Sequence, residues 1–424
     1  MKKLVFYDPG HFHAALLLGA ASPRLSPDVH VYAPAGSDLD RFVALVRNLN
    51  KGITPADRWQ LSVHTGDDGL QQIISRHKGA IVVLAGKNAP RLGIMQQLHS
   101  AGFSVLADKP WLTDSRDLPL LDQVTSGLPL TVDIMTSRFD AGAQLRQKIV
   151  SDRDVFGGFE NRSDDIPALE ISSQHHLCKV AAGEPLRRPD WYYDVRIQGD
   201  GMVDIQTHMT DQAQWLITND QATSFTDDFE LVNASRWTTP VPLDIYREST
   251  GASHFPISLK NDLVDGVLQL ACNGEINYRL KGYGVRQKAE WALKAVDNGG
   301  DFHLLTARGR NCDLLFRQDQ STGFRADLRL RPNAEIELLP VLQQKVAAWQ
   351  RDFPGLSFEI VEDCFRLLIP DAIKITHEDH FPLLLDYYLD LLEQGHFPEA
   401  LADNIRARYT LLANAWDLAL ANDG

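Results

Sequence analysis

The chain has 424 residues, more than one hydrophobic core usually serves, so two domains are expected. Its 42 Lys and Arg stand against 56 Asp and Glu, and the net charge of -14 gives no general attraction to phosphate backbones or anionic lipid. Nucleic acid and membrane surfaces are therefore poor partners, and the four scattered cysteines, without a C-x-x-C pair, argue against both a disulfide framework and a zinc cluster.

The start, Met1-Lys2-Lys3-Leu4-Val5-Phe6-Tyr7-Asp8-Pro9-Gly10, resembles a signal peptide only until Asp8 and Pro9 interrupt it. No apolar stretch is long enough to span a bilayer, and a cytoplasmic protein is expected. Leu4 to Tyr7, Val29 to Tyr32, Ala80 to Ala85, Ser104 to Ala107 and Leu130 to Ile134 read as strands. Between them, Asp67 to His77, Pro90 to Ala101 and a run to Val124 capped by Thr113 read as helices. This alternation implies parallel crossovers, and Ala80 to Ala85 is apolar on both faces, as a strand covered by helices should be. The expectation is a Rossmann-like, doubly wound α/β domain over residues 1–135.

From about Phe156 the pattern changes. A short helix around Met202 to Trp215 precedes strand-like segments at Gly266 to Ala271, Ile276 to Leu280, Phe302 to Ala307, Asp313 to Phe316 and Phe324 to Leu330, separated by turns at hairpin spacing. Residues 136–334 are thus expected to form an α+β domain with a mainly antiparallel sheet. Residues 335–424 read as a mostly helical extension, clearest at Phe381 to Leu392 and Leu401 to Leu420.

Three segments carry chemistry. After the first strand, a dinucleotide site calls for G-x-G-x-x-G; the loop here is Asp8-Pro9-Gly10-His11-Phe12-His13, keeping one glycine and adding a carboxylate. The second strand ends at Tyr32-Ala33-Pro34, without the acid that usually accepts the ribose hydroxyls, although Asp38 and Asp40 follow. The fourth candidate strand ends on Asp108-Lys109-Pro110. The segment Gly199 to Asp211 sets Asp204 four residues before His208, which puts both on one face of a helix.

The last two segments resemble the glucose-fructose oxidoreductase, inositol dehydrogenase and MocA family, with its G-K-x-V-x-x-E-K-P strand end and G-G-G-x-x-x-D-x-x-x-H-x-x-D helix start. The likeness runs from residue 1 to about 330. Asp108 replaces the Glu, Asp200 replaces the middle Gly, and the glycine loop is broken. The resemblance implies NAD or NADP held by Gly10, His11, Phe12, Asn88, Asp108 and Pro110, and hydride exchange with a sugar, inositol or related polyol. Removing a hydride from an alcohol requires a base for its proton and a cation for the developing charge. His208 suits the first task and Lys109 the second, with Asp204 orienting both.

His176, Lys179, Trp191 and Tyr193, in polar and aromatic segments ahead of that helix, form a candidate sugar-binding wall together with Asp211. Thr376-His377-Glu378-Asp379-His380 has poor zinc spacing and reads as a polar helix start, so no metal is expected. The open sheet face is expected to pair two or four copies of the chain, as in that family. Alternative readings are a glycosidase-like enzyme with tightly bound, recycled NAD, and a cofactor-free sensor or structural protein.

Overall fold

Six strands, β1 (Lys2–Tyr7), β2 (Leu25–Ala33), β3 (Gln60–Thr65), β4 (Ile81–Leu84), β5 (Ser104–Ala107) and β6 (Thr131–Asp133), form a parallel sheet in the order β3-β2-β1-β4-β5-β6. The computed structural model describes residues 1–163, 165–181, 184–296 and 299–422. All four residues of β4 are buried, as expected for a strand covered on both faces. Winding reverses between β1 and β4, and a doubly wound sheet opens its ligand crevice beyond the carboxyl ends of such a pair.

Two elements here escaped the sequence pattern. Edge strand β3 is half-buried at most, so it lacks an apolar run, whereas the helix Ser37–Leu49 buries only Leu39, Phe42 and Val46. The cap expected from Thr113 is supplied by Asp114, whose carboxylate accepts the Arg116 amide at 2.9 Å.

The sheet belongs to a unit made of Met1–Phe139, Arg196–Gly199 and Thr376–Tyr409. Its core is completed from far along the chain. In the helix His380–Gln394, Phe381, Leu384, Leu385 and Tyr388 join the β1 and β2 side chains, and the Tyr388 hydroxyl donates to the Leu130 carbonyl at 3.1 Å. Tyr409 stacks on the fully buried Trp111, with ring centroids 5.3 Å apart, and Arg408 pairs with the buried Asp133 at 2.5 Å.

The second unit comprises Asp140–Val195, Asp200–Ile375 and the chain from Thr410 onward. Its strands are β7 (Leu169–Cys178), the short pair β8 (Val180–Ala181) and β9 (Glu184–Pro185), β10 (Phe229–Val241), β11 (Leu263–Val264), β12 (Val267–Leu280), β13 (Tyr283–Lys294), β14 (Phe302–Arg308), β15 (Cys312–Gln318), β16 (Asp327–Pro332), β17 (Ser357–Val361) and β18 (Cys364–Leu368). The large sheet has the order β10-β12-β13-β7-β14-β15-β16-β18-β17, with β11 on β12, and it is antiparallel except where β13 meets β7. The helix Gln206–Thr218 covers one face: Gln206 donates to the Gly274 carbonyl at 2.6 Å, and Thr210 bonds Gln287. On the opposite face Arg286, Lys288, Glu290, Glu170 and Arg308 form a ladder of partly exposed ion pairs.

Residues 335–424 are therefore not a uniform helical tail. Residues 357–368 make the β17–β18 hairpin, turning at Glu362 with a left-handed φ of 56°, and the final helix Glu399–Asn422 contributes to one unit up to Tyr409 and to the other from Thr410. Strands of five residues, apolar as these are, cannot be told by periodicity from a stretch of buried helix.

Candidate active site

In the first unit the strand ends bring together the loop after β1, the turn after β4 and Asp108-Lys109-Pro110 after β5. The loop turns several of its amides inward. Both the Gly10 and His11 amides donate to the Ala85 carbonyl, at 3.1 and 2.8 Å, while the Asp8 amide donates to the Tyr32 carbonyl at 2.8 Å. The helix that follows is only His13–Leu16, too short to gather the dipole on which a pyrophosphate rests in a G-x-G-x-x-G loop. Asp8 sits at φ 45°, and burial raises its carboxyl above the usual range, with Lys87 opposing and Asp38 adding. Gly86 is obligatory beneath this loop, since a Cβ there would lie 2.0 Å from the Asp8 carbonyl oxygen.

Asp108 is buried under the same loop. His13 Nδ1 lies 3.2 and 3.1 Å from its two carboxylate oxygens, and His11 Nδ1 lies 3.1 Å from Oδ2. Burial holds the His13 imidazole neutral, its pKa lowered to about 3, beside the ionised Asp108. The half-buried Lys109 gives its amide to Asp108 Oδ1 at 2.9 Å. The turn bearing it is clamped by Arg91, whose Nη1 donates to the Asp108 and Pro110 carbonyls and Nη2 to the Gly86 carbonyl, each at 2.7 Å. Burial lowers the Arg91 pKa to about 10, leaving it charged at neutral pH. Asn88 is also anchored: its side-chain amide donates to the Gln198 carbonyl, and its backbone amide to that of Ile197 at 3.1 Å.

In the second unit Asp204 precedes the helix instead of riding on it. The helix starts at Gln206, and Asp204 lies in the turn 201–205, its amide on the Asp200 carbonyl at 3.2 Å, with His208 one turn further on. The turn is forced by Gly201, where a Cβ would come within 2.2 to 2.5 Å of the Asn273 backbone. Asp200, standing where the resembling family has glycine, fixes the turn through the Met202 amide at 2.8 Å, Arg236 at 2.8 Å and the Trp416 indole at 2.5 Å. Asp204 and Asp211 are buried and His208 half-buried. Burial, with the charge of Asp204 adding, pushes the nearby Cys272 thiol up to about 12.

The expected sugar wall is largely engaged. Asp301, which nothing in the sequence singled out, takes His175 and His176 Nδ1 at 3.0 and 3.2 Å and also pairs with Lys179. Tyr193 is a core residue, almost fully buried and hydrogen-bonded to Ser249, which corrects its placement in a binding wall. Trp191 remains partly exposed in the turn Asp190–Tyr193. His377 and His380 lie at a helix start as read, yet the His377 ring reaches to 5.9 Å from that of His13. His13, Arg91 and Asp301 were missed because each acts through a partner remote in sequence; only the His-x-His spacing was a local signal for the first.

The chain thus comprises a parallel-sheet unit of doubly wound order and a mostly antiparallel sheet unit. Residues 145–420 match the family described as "Putative oxidoreductase C terminal domain", and the chain belongs to that family of oxidoreductases. A "putative oxidoreductase" from Parabacteroides merdae is 32% identical over 99% of this chain and 98% of its own, with a TM-score of 0.94. Two more distant structures share the fold. Levoglucosan dehydrogenase in complex with NADH and levoglucosan is 13% identical over 100% of this chain and 98% of its own, at a TM-score of 0.63. A "putative nadph-dependent oxidoreductase" from Desulfitobacterium hafniense is 11% identical over 100% and 96%, at 0.60. No curated protein matches the sequence. Among the described residues, no helix is long and apolar enough to cross a membrane.

Proposed function

We propose that the chain is an NAD(P)-dependent oxidoreductase of the glucose-fructose oxidoreductase, inositol dehydrogenase and MocA type, acting on a sugar, inositol or related polyol. The observation that carries this reading is Lys109, held by Arg91 and Asp108 just beyond the carboxyl end of β5 in a sheet of Rossmann order. Distant relatives of the same fold support it: levoglucosan dehydrogenase binds NADH with levoglucosan or L-sorbose.

A dinucleotide would be held at Gly10, His11, Phe12, Asn88, Asp108 and Pro110, and because the Gly10 and His11 amides are committed to Ala85, its affinity would rest on the nucleoside ends more than on the diphosphate. When bound, the nicotinamide supplies the hydride acceptor or donor. His208 takes the hydroxyl proton at its imidazole, Asp204 orients that ring, and the Lys109 ammonium stabilises the developing alkoxide. Trp191 and Asp211 contact the sugar, while His176 and Lys179, spent on Asp301, shape the wall from behind. The residues act in the cytoplasm, in a homodimer or homotetramer joined through the open sheet face.

The committed loop amides favour one second reading, a cofactor-free protein that keeps the fold. Mass spectrometry of nucleotide released from purified protein, followed by calorimetry with NAD(H) and NADP(H), separates the two. Binding of neither nucleotide at millimolar concentration would leave the cofactor-free reading.

A further inference from the structure

We propose that His11, His13 and Asp108 form a binding site for a divalent transition-metal ion, with zinc the best match to two imidazoles and one carboxylate. One ligand atom from each residue lies within 4.8 Å of the other two, and among the described residues this is the only trio of metal-ligating groups gathered so closely. A tetrahedral zinc with bonds of about 2.0 to 2.1 Å holds its ligand atoms about 3.3 Å apart. The separations of both Nδ1 atoms from Asp108 Oδ2 are 3.1 Å.

Hydrogen bonding alone does not account for the cluster. His13 Nδ1 is aligned with the carboxylate, whereas His11 Nδ1, equally near Asp108 Oδ2 and shut off from water, meets it outside good hydrogen-bond geometry. A shared cation would satisfy both nitrogens and the doubly approached oxygen at once. Orienting partners are present too, as good metal sites require. The Lys109 amide fixes Asp108 Oδ1 at 2.9 Å, and the His13 ring is wedged by Phe381, with centroids 4.7 Å apart. His13 and Asp108 are buried, while the His11 side chain keeps 22% exposure and gives an ion its way in. Three protein ligands leave a fourth position for water or an oxygen of a bound ligand. The ion would tie the β1 loop to the end of β5 beside Lys109, replacing in part the backbone contacts that the missing glycines would have made. The inference does not rest on nucleotide binding, and either can fail without the other.

The test is titration of metal-free full-length protein with Co²⁺, read as visible absorption, with Zn²⁺ competition. One equivalent should produce a saturable band that Zn²⁺ abolishes. His11→Ala, at the partly exposed ligand, should keep the native circular dichroism and weaken binding about 100-fold or more; Asp108→Asn should do the same if it folds. The separate histidine group, with His30 Nδ1 3.2 Å from His64 Nε2, serves as the control, so His64→Ala should leave the band unchanged. No saturable band, a band that survives His11→Ala at wild-type affinity, or one lost only in His64→Ala would overturn the proposal.

Discussion

Arg91 Nη1 donates to the main-chain carbonyl of Asp108 at 2.7 Å, so a fully buried guanidinium holds the backbone of the turn that presents Lys109. Because Nη1 and Nη2 also satisfy the carbonyls of Pro110 and Gly86, removing the side chain strands three buried acceptors. Arg91→Ala should lower stability by roughly 3 kcal/mol. Arg91→Lys keeps the charge but not the planar fork, and should lose turnover more than stability. Urea unfolding alongside steady-state kinetics checks both; unchanged turnover in Arg91→Lys would show that the clamp does not position Lys109.

Lys109→Ala should leave nucleotide affinity within a few-fold while lowering kcat by about 100-fold or more, since a cation acting on developing charge stabilises the transition state selectively. Calorimetry and single-turnover rates distinguish this from a binding role.

Asp8 is a non-glycine residue at φ 45° that puts a carboxylate in the loop after β1, where the proposed dinucleotide would bring further negative charge. Asp8→Gly relieves the left-handed backbone, removes the charge, and loses only a long contact to the exposed Lys87 at 3.8 Å. It should gain about 0.5 to 1 kcal/mol in stability and tighten NAD(H) or NADP(H) binding. Weaker nucleotide binding would assign Asp8 a positive role in recognition.

Acid should destabilise the protein through partly buried histidines. Burial lowers the His303 pKa to about 3, and His77 is lowered to about 4 by burial and by His30. Both fall below the unfolded value near 6.5, so between these limits the unfolded chain binds more protons than the folded one. Stability is then complete above pH 6.5 and falls as pH drops toward 4, by roughly 1.4 kcal/mol per pH unit for His303. Urea midpoints at pH 7.5, 6 and 5 should decline, and His303→Gln should flatten the decline. A midpoint constant from pH 7.5 to 5 would contradict the neutral state of these histidines.

Gly201→Ala should be among the most damaging small substitutions, because its Cβ would come within 2.2 to 2.5 Å of the Asn273 backbone, which has no side-chain freedom with which to yield. A loss of about 3 kcal/mol or more is expected, with the turn carrying Asp204 displaced. A melting temperature within a degree or two of wild type would mean that the strand relaxes more easily than the geometry implies.

The parallel sheet was legible because its central strands are buried on both faces: the run Ala80 to Ala85 can do little else, and alternation with helices then dictates parallel crossovers. Lys109, Asp204 and His208 could be proposed from the sequence because their motifs are local, a strand end and a turn entering a helix, with chemistry that follows from residue type. The sequence by itself thus determined the fold class and the residues proposed for proton and charge transfer. Tertiary structure decided what surrounds them. It set Arg91 under the Asp108 and Pro110 carbonyls, joined His11 and His13 to Asp108 across nearly a hundred residues, bound His176 and Lys179 to Asp301, and brought Phe381 and Tyr409 into the first unit's core. The physical reason is the same in each case. A periodic pattern records which face of an element is buried, but hydrogen bonds and ion pairs between distant segments depend on packing distances and angles that leave no period in the sequence.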